Sequence, residues 1–448
     1  MLTHGGMMSF WQRWHRRRRR RETLSADALR QAAARALARD PDGVAARRLR
    51  DQTKHIIEAF RGDVAEDPEG GYLYRKGWIL VREEYANRAS QLLGARVDRE
   101  RERDAAPAVA GIRRIPLMKD VEMRSALDSL LDGAGGLGEG CAAPEHILSI
   151  SDVVSRCPAV EPEPVEATTP EPAPTFDSAA GHGVRVVVVD TGLDPDAPLK
   201  HRWLDQVEGE PDPAITPDEL LKYAGHGTFI AGVVRCLAPR AEVFVTSAFW
   251  RGGALAETEV VRELTRVLAT QSPDIIVLSA GTRTYRNSGL LAFDAFNRTV
   301  LSQHKGVALV AAAGNDASRV PFWPAASPFS VSVGALNERW DGRAEFSNHG
   351  GWVDVYAPGE NLVNAFPVGT YTYQEAPNIP PDVPKPRIEA FTGMARWSGT
   401  SFSTPLVAGL IAARMSHTGE NGRTAAAALI ADAQRAARLG VGAVLHPR

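Results

Sequence analysis

Three short segments carry side chains that could do chemistry together. Val187-Val188-Val189-Asp190-Thr191-Gly192 puts a carboxylate at the end of a β-branched run. Gly225-His226-Gly227-Thr228 puts an imidazole between two glycines, and Gly399-Thr400-Ser401-Phe402-Ser403-Thr404-Pro405 puts a hydroxyl shortly before a proline. A serine hydroxyl is a weak nucleophile until a neighbouring base takes its proton, and an imidazole serves best when a carboxylate fixes its tautomer. Asp190, His226 and Ser401 supply those three roles, in one of the chain orders that build such a relay. A fourth segment, Ala311-Ala312-Ala313-Gly314-Asn315, brings a side-chain amide that could face a developing oxyanion. Each segment alone has an ordinary reading: a strand-end Asp, a structural His, an Asn-Asp turn. The set of four is what points to acyl-transfer chemistry.

Elements must hold these groups. From Gly183 onward, apolar runs at Val184–Val189, Glu242–Val245, Ile275–Leu278, Val307–Ala312 and Phe329–Val333 read as strands buried on both faces. Helical patterns fill Gly227–Cys236, Glu257–Thr270, Leu290–Gln303, Pro405–Ser416 and Thr424–Ala437. Alternation of the two predicts an α/β domain over 181–440 with a doubly wound, mostly parallel sheet, its site beyond the carboxyl ends of the strands. Ser401 is expected just ahead of a helix, where unpaired N–H groups and the dipole favour an oxyanion.

The first 180 residues read differently. Residues 1–69 form a basic arm, with Arg16 to Arg21 unbroken, followed by an amphipathic helical segment. Residues 70–150 predict a small α+β unit: strands at Tyr72–Arg82, Gly111–Met118 and His146–Ile150, helices at Glu84–Leu93 and Val121–Leu131. Residues 151–180 are a linker, its Pro/Glu-rich stretch at 158–177 expected to be extended, solvated and open to proteolysis. The Pro-rich stretch Tyr371–Ile388 is expected to be a surface loop near the nucleophile.

The 448 residues carry a net charge of -2, 44% hydrophobic and 24% charged residues, which suits a soluble globular protein and argues against a polyanionic partner for the whole molecule. The arginine arm is the one feature suited to phosphates, and nothing else in the chain supports a nucleic-acid role. Three cysteines are too few for a disulfide framework; a Cys141–Cys157 bridge is one option, but the sparse use fits reduced thiols in a reducing compartment better. Neither a signal peptide nor a transmembrane run is visible, so the cytoplasm is the expected location.

From about Gly183 to about Met415 these motifs resemble the subtilisin-like (S8) serine peptidases. The resemblance implies Asp190, His226 and Ser401 as the catalytic residues and an oxyanion hole made of the Asn315 amide and the Ser401 backbone N–H. It implies substrate binding by Ser279, Ala280 and Gly281 along an extended peptide, with Ala313 and Gly314 also substrate-binding. The pocket is expected to be lined by Ser279 to Gly281, Ala312 to Gly314 and a residue near Phe322–Trp323. Ala280 stands where the family usually has Leu, and Phe402-Ser403-Thr404 departs from the usual residues after the nucleophile. No cofactor is implied. Related enzymes often bind structural calcium, but no ligand-rich loop assigns positions for it or for any other metal here. The substrate class implied is a peptide or protein. By element order and position, 70–150 resembles the inhibitory, chaperone-like propeptide that precedes many subtilisins. Two other readings remain open: a catalytically inactive binding or regulatory protein on the same fold, and the acid-acting sedolisin family, against which His226 and Asn315 count.

Overall fold

The computed structural model describes residues 44–67, 71–103, 107–132, 135–150, 161–375 and 386–447. The arginine arm, the helical pattern before Val44 and Cys157 lie outside these residues, as does any Cys141–Cys157 bridge; Cys141 and Cys236 are free thiols.

The β-branched runs build a seven-stranded parallel sheet. Its order is Val355–Pro358, Ser330–Leu336, Ala308–Ala312, Ile275–Leu278, Arg185–Val189, Glu242–Thr246, Glu208–Gly209. Side chains alternate across a strand, so both faces of each run must be covered. Val186, Val188, Ile275 and Val277 enter one core with the helices His226–Leu237 and Thr400–Thr418. Val187, Val189, Ile276 and Leu278 enter the other, against Glu257–Gln271 and Leu291–Thr299. The domain is α/β with a parallel sheet covered by helices on both faces, as the alternation of elements predicts.

The segment ahead of this domain is an antiparallel sheet. Tyr72–Arg82 pairs with Val64–Asp67, Ile112–Pro116 and Ala142–Ser149. Helices Ala86–Leu93 and Met123–Asp132 cover one face through Ala89, Leu93, Ala126, Leu127 and Leu130. The other face sends Leu80, Ala143 and Leu148 into the core that holds Val260, Leu264, Phe293 and Phe296 of the parallel-sheet domain. The sheet also crosses the expected boundary: Ala142–Ser149 pairs with Ala254–Ala256, which lies beyond residue 180.

Three expectations are corrected. The last strand of the front unit starts at Ala142, not His146, because Ala142-Ala143-Pro144 carries no β-branched signal yet is buried throughout. The linker is not uniformly solvated: Glu161 is 5% exposed, and Glu163–Pro164 pairs with Ala395–Arg396. Extended Pro-rich backbone joins a sheet edge without refolding, and an edge tolerates proline. The stretch from Tyr371 is a hairpin rather than a loop at both of its ends. Leu362–Thr372 pairs with Ile388–Trp397 and buries Tyr371 and Tyr373, while residues 376–385 lie outside the described set.

Candidate active site

Asp190 follows the last residue of the strand Arg185–Val189, with no exposed surface. Its Oδ1 accepts from the Thr191 N–H at 2.8 Å and faces His226 Nδ1 at 2.7 Å. His226 opens the helix His226–Leu237, after Gly225 at φ 76°. The glycines are there for close approach: a Cβ on Gly225 would lie 2.3 Å from Pro367 Cδ, and one on Gly227 2.4 Å from the Gly192 carbonyl. Asp212 ties the two ends together. It accepts from Thr191 Oγ1 at 3.1 Å, from Gly225 N–H at 2.8 Å and from Ala214 N–H at 2.9 Å. Burial pushes its carboxyl up to about 6, against those three hydrogen bonds.

Ser401 lies in the first turn of Thr400–Thr418, not ahead of the helix, and Pro405 is inside that helix. Proline has no N–H to give the carbonyl four residues back. Ser279 Oγ donates to that Ser401 carbonyl instead, at 2.9 Å. Asn315 Oδ1 accepts from Thr400 N–H at 2.8 Å and Thr400 Oγ1 at 3.0 Å. Asn315 lines a cavity with His226 and Ser401. A ring of aromatics backs the imidazole: Trp397 and Phe402 have centroids 5.3 and 5.4 Å from it.

Ser279, Ala280 and Gly281 continue the strand Ile275–Leu278, and Ala313 and Gly314 continue Ala308–Ala312. Asn348 braces the second segment, donating to the Ala313 carbonyl at 2.8 Å. The structure brings Asp190, His226, Asn315 and Ser401 together through the Asp190–His226 contact and the shared cavity, and places Ser279–Gly281 and Ala313–Gly314 beyond the carboxyl ends of two interior strands. The end of the front unit is there too. Ser149 exchanges both backbone hydrogen bonds with Gly281 at 3.0 Å, and Ile150 N–H donates to the Gly253 carbonyl at 2.9 Å. Ile147–Ser149 therefore lies as a strand between Ala254–Ala256 and Gly281. Ile150 and Glu161 both line the cavity with Ser401, leaving about 30 Å³, room for a water but not a peptide.

Glu257 anchors that strand. With no exposed surface, its Oε1 accepts from His146 N–H and faces His146 Nδ1, both at 3.1 Å. Tyr285 N–H donates to His146 Nε2 at 3.0 Å, so the ring proton sits on Nδ1. Asp212, Glu257 and Trp397 escape a reading of the sequence, since none has a diagnostic neighbour; only the folded chain brings them here. Among the described residues no group of three or more His, Cys, Asp or Glu could hold a metal ion, and no helix is long and apolar enough to cross a membrane.

Comparison with known proteins agrees with this geometry. The model of the subtilase family (peptidase S8) matches residues 181–444, more than half of the chain. The chain belongs to the subtilase family. It is 30% identical over 257 residues to the thermophilic serine proteinase of Bacillus sp. (strain AK1), covering 53% of each. It is 30% identical over 250 residues to thermitase of Thermoactinomyces vulgaris, covering 52% of this chain and 76% of that one. The chain thus spans about half the length of the first of these relatives. Among solved structures it resembles fervidolysin of Fervidobacterium pennivorans, a keratinolytic enzyme related to subtilisin. There the TM-score is 0.53 at 17% identity, covering 83% of this chain and 60% of that one.

Proposed function

We propose that the protein is a serine endopeptidase whose nucleophile is Ser401. The observation that carries this is the 2.7 Å contact of Asp190 Oδ1 with His226 Nδ1, beside a cavity that His226 shares with Ser401 and Asn315. In the reading, His226 Nε2 takes the Ser401 proton as Oγ bonds to the substrate carbonyl carbon. The carbonyl π pair moves onto oxygen, where the Ser401 backbone N–H and the Asn315 amide stabilise it. Collapse breaks the C–N bond, and His226 gives its proton to the departing amine. Water then repeats the sequence and releases the acyl group. Asp190 holds the imidazole in one tautomer and stabilises it when protonated.

We further read the front unit, through Ile150, as an inhibitory segment held in the substrate path. The chain meets the cavity at Ile150 and again at Glu161, on either side of the expected linker's first residues. A fluorophosphonate probe together with Ser401→Ala tests the whole reading. The wild type should label at Ser401 and convert from full length to a shorter species on a denaturing gel, and Ser401→Ala should do neither. A wild type that folds, stays unlabelled and stays intact would favour the inactive binding-protein reading.

A further inference from the structure

We propose that Phe322 fills the crevice that receives the substrate side chain just before the scissile bond, so that the enzyme cuts after small residues. The proposal rests on the peptidase reading above and names its substrate class.

The path of a substrate is drawn by the chain's own residues 147–150. Ser149 is paired with Gly281, and Ile150 turns into the cavity beside His226 and Tyr223. Successive side chains of an extended strand point to opposite sides. The side chain of the next residue along such a path therefore points away from His226, toward the ends of two neighbouring strands. Those strands are Ile275–Leu278 and Ala308–Ala312, parallel and in register with Leu278 opposite Ala311. Their continuations, 279–281 and 313–314, form the two walls of a crevice. Both are pinned to the nucleophile's turn: Ser279 Oγ bonds the Ser401 carbonyl, and Gly314 N–H bonds Thr400 Oγ1 at 3.1 Å.

One phenyl ring spans the gap between the walls. A Cβ built on Gly281 would lie 2.3 Å from Phe322 Cε1 and 2.7 Å from Cδ1. A Cβ on Gly314 would lie 2.9 Å from Phe322 Cδ1 and 3.0 Å from Cγ. Both walls are glycine where the ring meets them, and the same ring edge touches both. Phe322 is 4% exposed, and its place is fixed by the backbone on either side. Thr282 and Trp323 exchange hydrogen bonds at 2.8 and 2.9 Å, and Ala326 N–H donates to the Phe322 carbonyl at 2.8 Å. Two residues past each of these glycines, Arg283 and Asp316 pair at 3.4 Å, with the carboxylate 1% exposed, so that neither charge stands alone.

A ring so placed takes up the volume a large side chain would need, in packing too dense to yield cheaply. Glycine, alanine and serine fit above it; leucine, phenylalanine and lysine do not.

The test is a peptide library varied at that one position, digested by the full chain, wild type and Phe322→Gly, with fluorophosphonate titration of Ser401 to count active sites. Wild type should prefer small residues over Phe and Leu by about 100-fold in kcat/KM, the scale of steric discrimination by a pocket. Phe322→Gly should invert that order. Labelled wild type that cuts equally well after Phe, Leu and Ala overturns the proposal whether or not the variant folds. So does a folded, labelled Phe322→Gly with an unchanged profile. Absence of both labelling and cleavage in the wild type overturns the peptidase reading, and this one with it.

Discussion

The indole of Trp397 stands edge-on to the imidazole of His226, ring centroids 5.3 Å apart and planes at 85°. Trp397 ends the strand Ile388–Trp397, so the long hairpin after residue 360 delivers one wall of the histidine's pocket. Phe402, next to Ser401, supplies a second ring 5.4 Å from the imidazole and 5.1 Å from the indole. Asp190 fixes one nitrogen of the imidazole; the two rings fix the tilt of its plane.

Trp397→Ala should therefore lower kcat more than it raises KM. Edge-to-face pairs contribute about 0.5–1.5 kcal/mol beyond area burial, which is a loss of roughly 2- to 12-fold in kcat. Trp397→Phe keeps an edge for the imidazole and should recover most of the rate. Steady-state kinetics with active-site titration makes the check. Equal loss in both variants, or a change confined to KM, would mean that Trp397 only shapes the cleft.

Glu257 links the parallel-sheet domain to the strand Ala142–Ser149, since one carboxylate oxygen serves His146 while the other accepts from Ala292 N–H at 3.1 Å. Glu257→Gln keeps the shape but turns one acceptor into a donor. Leaving buried donors unpaired costs about 1–3 kcal/mol, equivalent to about 5- to 150-fold weaker retention of the strand Ala142–Ser149. In the full chain the variant should shorten the lag before peptide hydrolysis begins. A lag identical to that of the wild type would show that Glu257 serves its own helix and not the front unit.

Stability should fall as the solution is acidified from about pH 6.5 to 4. His55 is held down to about 4 by burial and by the nearby Lys222, with Glu375 opposing. His349 is likewise lowered to about 4 by burial and Arg343, with Arg319 adding to the effect. Between 4 and 6.5 the unfolded chain takes up protons that these rings refuse, so their contribution is full above 6.5 and lost below. Asp212 runs the other way. Its folded carboxyl, raised to about 6, keeps a proton that the unfolded chain has lost, so its contribution is full below about 3.8 and lost as the pH rises through 6. Two losses against one gain leave a net decline on acidification. Urea midpoints measured from pH 4 to 7 should show it, and His349→Asn should flatten the slope. A midpoint that rises toward pH 4 contradicts the assignment.

The site was more legible in the sequence than its surroundings. Asp190, His226, Ser401 and Asn315 each sit in a phrase whose backbone demands are local: a strand end, two glycines at close approach, a helix start. Such demands appear as composition. The parallel strands were legible for the same reason, since burial on both faces leaves unbroken Val and Ile runs. What could not be read depends on distant pairing. Glu163–Pro164 is too short to show a period and becomes a strand only through Ala395–Arg396. Tyr371-Thr372-Tyr373 precedes a cluster of prolines and reads as loop until the hairpin buries its rings. Ala254–Ala256 gains its strand from a segment more than 100 residues earlier in the chain.

The cavity beside Ser401 also borders a buried ion pair, and it yields the sharpest stability test. Lys222 Nζ lies 2.8 Å from Glu375 Oε1, with side chains 2% and 3% exposed. Burial opposes the charge on Lys222, but Tyr223 and Glu375 outweigh it and hold the ammonium above its ordinary range. Gln52, from the helix Val44–Ala59, donates to Glu375 Oε2 at 3.0 Å, so the pair also ties the first described helix to the hairpin. Lys222→Met alone strands a carboxylate in the interior and should cost about 3–5 kcal/mol. Lys222→Met with Glu375→Leu removes both charges and should recover most of that loss, because a buried pair gains little over apolar packing of the same volume. Urea denaturation of the four species closes the double-mutant cycle. If the double variant is less stable than Lys222→Met, the carboxylate is stabilised chiefly by Gln52 and the backbone, and the ammonium is incidental to it.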